Sequence, residues 1–211
     1  DYKTGEKVFS LGHLLYGLDM QMLIYLFSIL SEGTALSDAQ PAGVLYLPAG
    51  KVKSDQKRGA SKTPEKKRNE TYQMNGVLLR DAHLLTLMEQ NGEGIYVPGK
   101  LDAKGELDTK KGTFLTQEQM RNLRKYVLEQ LVDMAERVYH GEIDALPLEL
   151  PKEDPCKFCA FSNICGNSEL CRQRIPYGDS RMQEKKMMEI LEELASSMGV
   201  TSPYRVITEK S

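Results

Sequence analysis

The 211-residue sequence has no tryptophan, only five phenylalanines, three histidines and four cysteines. Four cysteines are too few for a disulfide-stapled scaffold. The expectation is a reducing cytoplasm, in which clustered thiols suggest metal. Charge of one sign is also missing: Lys plus Arg is 28, Asp plus Glu is 30, and the formal net charge is −2. That balance excludes a uniformly basic coat for nucleic acid and leaves room for a local basic patch. The most apolar run, Leu14 to Leu30, carries Asp19 and Gln21 within it. A membrane span needs about 20 mostly apolar residues, so a buried helix is expected and no membrane association. The P-loop, GxSxG and GxGxxG patterns are absent, which argues against ATP hydrolysis by this chain. The start is charged and lacks a small-residue cleavage site, so no signal peptide is expected. It begins at Asp1 rather than Met, and we expect it to be cut from something longer.

What is present is the make-up of an ordinary globular domain, 40% hydrophobic and 27% charged,. Its length predicts one domain plus an appendage. Asp1 to Gly5 reads as a strand end and a glycine turn. A helix, apolar nearly all round, is expected from about Leu11 to Leu30 and ends at Glu32-Gly33. Pro41 to Leu47 (PAGVLYL) reads as a central strand. Lys51 to Arg68 holds eight Lys or Arg against Asp55 and Glu65 and predicts a mobile loop or a contact surface that orders on binding,. Asn75 to Leu79 resumes the apolar pattern. Asp81 is placed to cap a short helix carrying Leu84, Leu85 and Met88, stopped near Gly92. Ile95 to Val97 and the turn Ala103 to Glu106 predict a surface hairpin. A long helix is expected from Thr116 to His140, with Thr116 and Gln119 at capping-box spacing. Met120, Leu123, Val127, Leu131, Met134 and Val138 share one of its faces, and Gly141 closes it. A last helix, from about Arg181 to Met198, presents Met187, Leu191, Leu194 and Met198 as a packing face. No internal repeat is found.

Two constellations could carry chemistry. Cys156-x-x-Cys159-x5-Cys165, with Cys171 six residues on, has the spacing by which thiolates grip one soft centre from a tight turn,. A zinc ribbon fits badly because the second CxxC is missing. An iron–sulfur cluster tolerates irregular spacing. Small buried hydrophobes are the plain alternative, disfavoured by three Cys in the ten residues from Cys156 to Cys165, with Pro155 and Phe158 beside the first of them,. The second constellation is Asp1-x-Lys3, whose side chains share one face of a strand, with Gln21 and Tyr25 four apart on a helix. An acid and a lysine so placed can hold a divalent metal and orient a water. On spacing alone, however, a surface pair is the better reading. His13, His83 and His140 do not cluster and read as helix-face residues rather than ligands. The basic stretch could touch phosphates, but it lacks the interleaved aromatics of single-strand binders, and as a lone feature it reads as a solvated loop.

Taken in order, these residues resemble a known family. Asp1-Tyr2-Lys3-Thr4-Gly5 resembles the D-Y-K-[ST]-G motif of the RecB-type branch of the PD-(D/E)xK nucleases. Gly17-Leu18-Asp19-Met20-Gln21-Met22-Leu23-Ile24-Tyr25 is similar to that branch's G-L-x-x-Q-x-x-x-Y helix. Cys156 to Cys165 looks like its C-terminal C-x-x-C-x5-C segment. Within the branch, the stretch from Asp1 to about Asn167 is similar to the nuclease domains of the AddB-type components of AddAB helicase–nucleases. The resemblance implies an α/β, restriction-endonuclease-like core, incomplete at its N-terminus, with a cysteine-cluster segment and a terminal helix. The implied divisions are 1–150 for the core (51–70 being the basic loop), 151–171 for the cysteine segment and 172–211 for the terminal helix and tail.

The same resemblance implies roles. Asp1 would be a carboxylate ligand of Mg2+, and the carbonyl of Tyr2 would complete part of the metal shell. Lys3 would position the water and stabilise charge on the phosphate. Gln21 and Tyr25 would support the site and the nucleic-acid backbone. Cys156, Cys159 and Cys165 would be three ligands of a [4Fe-4S] cluster. It implies DNA as substrate, the helicase–nuclease AddA as heterodimer partner, and resection of double-strand breaks by cutting the 5′-ended strand. The family's other metal carboxylate, its upstream histidine and its fourth cluster cysteine all precede DYK, so this fragment is expected to be inactive or very weak alone. A Cas4-like exonuclease shares the three motifs, but the long stretch from Leu47 to Thr113 favours the AddB type. A non-catalytic DNA-binding or scaffold domain with a structural metal is the rival from a different class.

Overall fold

In a computed structural model the chain is described over residues 8–48, 69, 71–110, 112–144, 146–150, 155–157, 159–162, 164–165 and 174–194. Its centre is a three-stranded sheet of β1 (Gly43–Tyr46), β2 (Asn75–Leu79) and β5 (Thr113–Leu115), in that order. β1 runs antiparallel to β2, with Val44 opposite Val77, and β2 runs parallel to β5, with Leu79 opposite Leu115. The strands are near-continuous apolar runs because both faces are covered. Val44, Val77 and Leu115 face one core, and Leu78, one residue out of phase, faces a second. Among the described residues β1 pairs on one side only, so the expected central position belongs to β2. β1 and β2 approach closely at Gly76, where φ is +152° and a Cβ would lie 2.0 Å from the Val44 carbonyl oxygen.

The main core is closed by helices. α1 (Gln21–Ile29) buries Leu23 and Phe27. α3 (Gln117–Tyr139) buries Met120, Leu123, Tyr126 and Val127, and the capping box between Thr116 and Gln119 forms as predicted. Its packing face ends early. Leu131 and Met134 are partly buried, but Val138 is 77% exposed, because the helix runs on past the core that its first turns cover. α4 (Ser180–Glu193) starts at Asp179, whose carboxylate accepts from the Arg181 and Met182 amides. It buries Met187 and Leu191 in the same core, with Leu194 just past its end, and Met198 lies outside the described residues. Asn122 of α3 donates to the Leu191 carbonyl at 2.7 Å.

The second core lies under α2 (Ala82–Met88) and the hairpin of β3 (Lys100–Leu101) and β4 (Leu107–Asp108). Asp81 caps α2 through the His83 and Leu84 amides, as expected, yet of the apolar trio only Leu85 is buried. The hairpin forms around the expected turn but not from Ile95 to Val97. Those three amides are taken instead by the Glu89 carboxylate, at 2.7, 3.3 and 3.0 Å, which bends the chain there and moves the first strand downstream.

The expected helix from Leu11 to Leu30 is in fact two pieces. A 3-10 segment, Leu11–Tyr16, buries Leu11, Leu14 and Leu15 against α4, and α1 begins only at Gln21. Between them Gly17 (φ +70°) and Asp19 (φ +59°) turn the chain in the left-handed region. At Gly17 a Cβ would meet the Met134 methyl of α3 at 2.1 Å. Nor is α1 apolar on all sides in its setting, since Tyr25 and Ile29 are half exposed. No helix of the described residues is long and apolar enough to cross a membrane.

Candidate functional site

Asp1, Tyr2 and Lys3, the most chemically loaded of the expected residues, lie outside the described residues, as do the basic stretch from Lys51 to Arg68 and Cys171. The chain is described from Val8. Phe9 donates its amide to the Asn75 side chain at 2.8 Å and stacks on Tyr46, so this entry runs beside the first residue of β2 and the last of β1.

Gln21 and Tyr25 are where the spacing puts them, on one exposed face of α1. Gln21 Nε2 donates to Tyr25 Oη at 2.9 Å. Successive turns of a helix bring residues four apart together, and this bond holds two otherwise flexible groups in one orientation. As acceptor of that bond, Tyr25 keeps its own hydroxyl proton for an outside acceptor.

His13 and Asp19, which no periodicity joins, meet just before α1. His13 Nδ1 lies 2.7 Å from Asp19 Oδ2, and the Asp19 side chain is only 1% exposed. The Ser10 amide also points at that oxygen, at 3.4 Å. A carboxylate taken out of water needs a partner. An Asp inside an otherwise apolar run, with a His six residues upstream, is the signal that could have revealed the pair. Aromatic rings close the other side. The Tyr177 ring sits edge-on to His13 at 5.3 Å and tilted to Tyr16 at 5.2 Å. Burial raises the phenol pKa of Tyr16, Tyr46 and Tyr177; the negative charge of Asp19 adds to the rise at Tyr46 and is the smallest of the causes at Tyr177.

Among the expected cluster ligands, Cys156 is half-buried, and Cys159 and Cys165 are exposed free thiols. They sit on successive turns: the Cys159 amide donates to the Cys156 carbonyl at 3.2 Å, and the Cys165 amide to the Phe161 carbonyl at 2.9 Å. Among the described residues no three His, Cys, Asp or Glu side chains are gathered as a metal site. By donor chemistry the three thiols suit a soft centre such as iron–sulfur, and a carboxylate with a backbone carbonyl suits Mg2+. The cysteine loop is closed at its base by β6 (Leu148–Glu149) and β7 (Ile175–Pro176), which pair in parallel. The Tyr177 amide extends that ladder to the Glu149 carbonyl at 3.3 Å. His83 is exposed on α2, and His140, at the end of α3, bonds the Glu136 carbonyl at 2.7 Å.

The sequence profile of the PD-(D/E)XK nuclease superfamily matches residues 1–166. Three relatives carry the name of the B-type subunit of an ATP-dependent helicase/deoxyribonuclease. The chain is 34% identical over 170 residues to the one from Thermoanaerobacter sp. (strain X514), covering 78% of this chain and 15% of that protein. It is 33% identical over 175 residues to the one from Clostridium kluyveri, covering 78% and 15%. To the one from Caldanaerobacter subterraneus it is 31% identical over 206 residues, covering 94% and 17%. The chain therefore spans about 15% of the length of the first of these relatives.

Proposed function

Because this chain belongs to the PD-(D/E)XK nuclease superfamily, we propose that it is the DNA-cutting part of an ATP-dependent helicase–nuclease. It acts in the cytoplasm on strands that its helicase partner, AddA, helps to unwind. It hydrolyses phosphodiester bonds with Mg2+, cuts the 5′-ended strand and so resects double-strand breaks for recombinational repair. The observation that carries this reading is the extent of the superfamily match: residues 1–166 contain DYK, the glutamine helix and all three closely spaced cysteines. The names and identities of the relatives add the helicase–nuclease setting.

In this reading Asp1 and the Tyr2 carbonyl hold Mg2+, whose charge would offset the negative charge that builds up on the phosphate during hydrolysis. The Lys3 ammonium orients the attacking water and stabilises the same developing charge. The Gln21–Tyr25 pair touches the DNA backbone, which sets register rather than reading sequence. Cys156, Cys159 and Cys165 contribute three thiolates to a [4Fe-4S] cluster that staples the C-terminal segment to the domain. That role is structural, because closing a long loop lowers the entropy of the open chain.

The test is Mg2+-dependent cleavage of end-labelled duplex DNA by the full natural chain with its helicase partner. Cleavage should need ATP for unwinding, and Lys3→Ala should lower it by about 10²-fold or more. A Lys3→Ala variant that cuts like the parent would sink the assignment. About four irons and four acid-labile sulfides per chain support the cluster, whereas one zinc and no sulfide would replace it by a zinc-stabilised segment.

A further inference from the structure

The turn that precedes α1 holds a group the proposed chemistry does not use. Asp19 is the one non-glycine residue in the left-handed region among the described residues, at φ +59°. Asp tolerates that conformation better than most residues, but strained positions persist only where their surroundings hold them. What holds this one is specific. Asp19 Oδ2 takes His13 Nδ1 at 2.7 Å and the Ser10 amide at 3.4 Å, in a site where the carboxylate is 1% exposed. Ser10 in turn donates its hydroxyl to Glu184 of α4 at 2.6 Å. Two residues after Asp19, α1 starts with Gln21.

The other side of His13 leads to the cysteine loop. Its ring packs against Tyr177, whose amide bonds Glu149 as the last rung of the β6–β7 closure. The Tyr177 carbonyl accepts from Tyr16 Oη at 3.1 Å and Gln183 Nε2 at 2.9 Å, so the residue is fixed on the 3-10 segment and α4 together. Tyr177 thus touches both the base of the cysteine loop and the histidine that holds Asp19.

We propose that His13 and Asp19 form a positioning pair: it sets the entry of α1, and with it Gln21 and Tyr25, and it conveys the docking of Tyr177, where the cysteine loop closes, to that helix. This rests on the reading of Gln21 and Tyr25 as residues of a nuclease site. Neither His13 nor Asp19 touches substrate in this account. Their effect is on the geometry of the pair beyond them, and a shift of about 1 Å in a positioned group can cost 10²-fold in rate.

The experiment measures kcat and KM for DNA cleavage, and unwinding in the same preparations, with the full natural chain and its helicase partner. Asp19→Gly keeps the left-handed backbone accessible and removes the side chain with its carboxylate. It should lower kcat roughly ten- to a hundredfold while KM and unwinding hold. His13→Leu should do the same. His13→Asn, whose amide nitrogen stands near where the ring Nδ1 stood, should recover most of the rate. Tyr177→Leu should lower kcat in the parent and add little in the Asp19→Gly background, because the two act in one chain of contacts. The proposal is overturned if Asp19→Gly cuts like the parent, if His13→Asn is as poor as His13→Leu, or if the Asp19 and Tyr177 losses multiply. Should Asp19→Gly not fold, the comparison of the two His13 variants decides. A parent that shows no cleavage at all refutes the nuclease reading itself, which is a separate outcome.

Discussion

α3 and the segment from Leu11 to Ile29 make an instructive pair. Both supply residues to the same core, and Leu23 and Leu123 are each fully buried in it. α3 has a polar face, an N-terminal capping box and a closing Gly141, and it forms over Gln117–Tyr139 almost as its sequence predicts. The earlier segment is more apolar and less regular: six residues of 3-10 helix, a turn with two left-handed residues, then nine residues of α-helix. Alternation between polar and apolar residues fixes phase and length. A run that is apolar throughout reports burial but not the place where the backbone turns.

This contrast yields a graded set of measurements on urea unfolding. Leu23→Ala and Leu123→Ala should each cost about 3 kcal/mol, since both leave a cavity in one core. A Leu23→Ala cost of less than about 1 kcal/mol would mean that the broken segment is only loosely embedded. Gly17→Ala should cost about 1–2 kcal/mol for its left-handed backbone, and displacing the Met134 methyl that its Cβ would meet adds to that. Gly141→Ala has a similar φ of +75° with nothing within 4 Å, so the difference between the two isolates the contact between turn and helix. Thr116→Ala should cost about 1 kcal/mol by removing half of the capping box.

Tyr126 supplies a pH signature. Burial pushes its phenol well above the ordinary value of 10.0, and its hydroxyl bonds the Leu14 carbonyl at 3.3 Å. Above that ordinary value the unfolded chain releases a proton that the folded one retains, so stability is full below pH 10 and falls as pH rises beyond it. Tyr126→Phe should lower stability by about 1 kcal/mol near neutrality through the lost bond and flatten the alkaline fall. The smallest effect is expected at Val138, where Ser should change stability by no more than about 0.5 kcal/mol, because the side chain is already in water.

Much of the fold was legible in local signals: the Asp81 and Thr116 caps, the strand within Pro41 to Leu47, the apolar pattern of Asn75 to Leu79 and the α4 stripe of Met187, Leu191 and Leu194, whereas β5 (Thr113–Leu115) is too short to announce itself. The misses have particular physical causes, each a contact made or lacking that periodicity does not encode. Glu89 claimed the amides of Ile95 to Val97, and the end of α3 outran its core at Val138. At the site, helical spacing was enough to bring Gln21 to Tyr25. The His13–Asp19 pair was not legible as a pair, because it depends on a turn that no periodicity announces.

The seating of α4 on the 3-10 segment has a consequence for synthesis. Ser10 bonds Glu184 across 174 residues of chain, and the side of the 3-10 segment that packs on α4 is covered only once that helix arrives. At roughly 5–20 residues per second, translation separates the two by on the order of ten seconds. For that interval the nascent chain carries this apolar side of the segment uncovered. It is then a natural client for chaperones that shield apolar surface on the ribosome, and a messenger cut short before α4 would encode a product that stays in that condition.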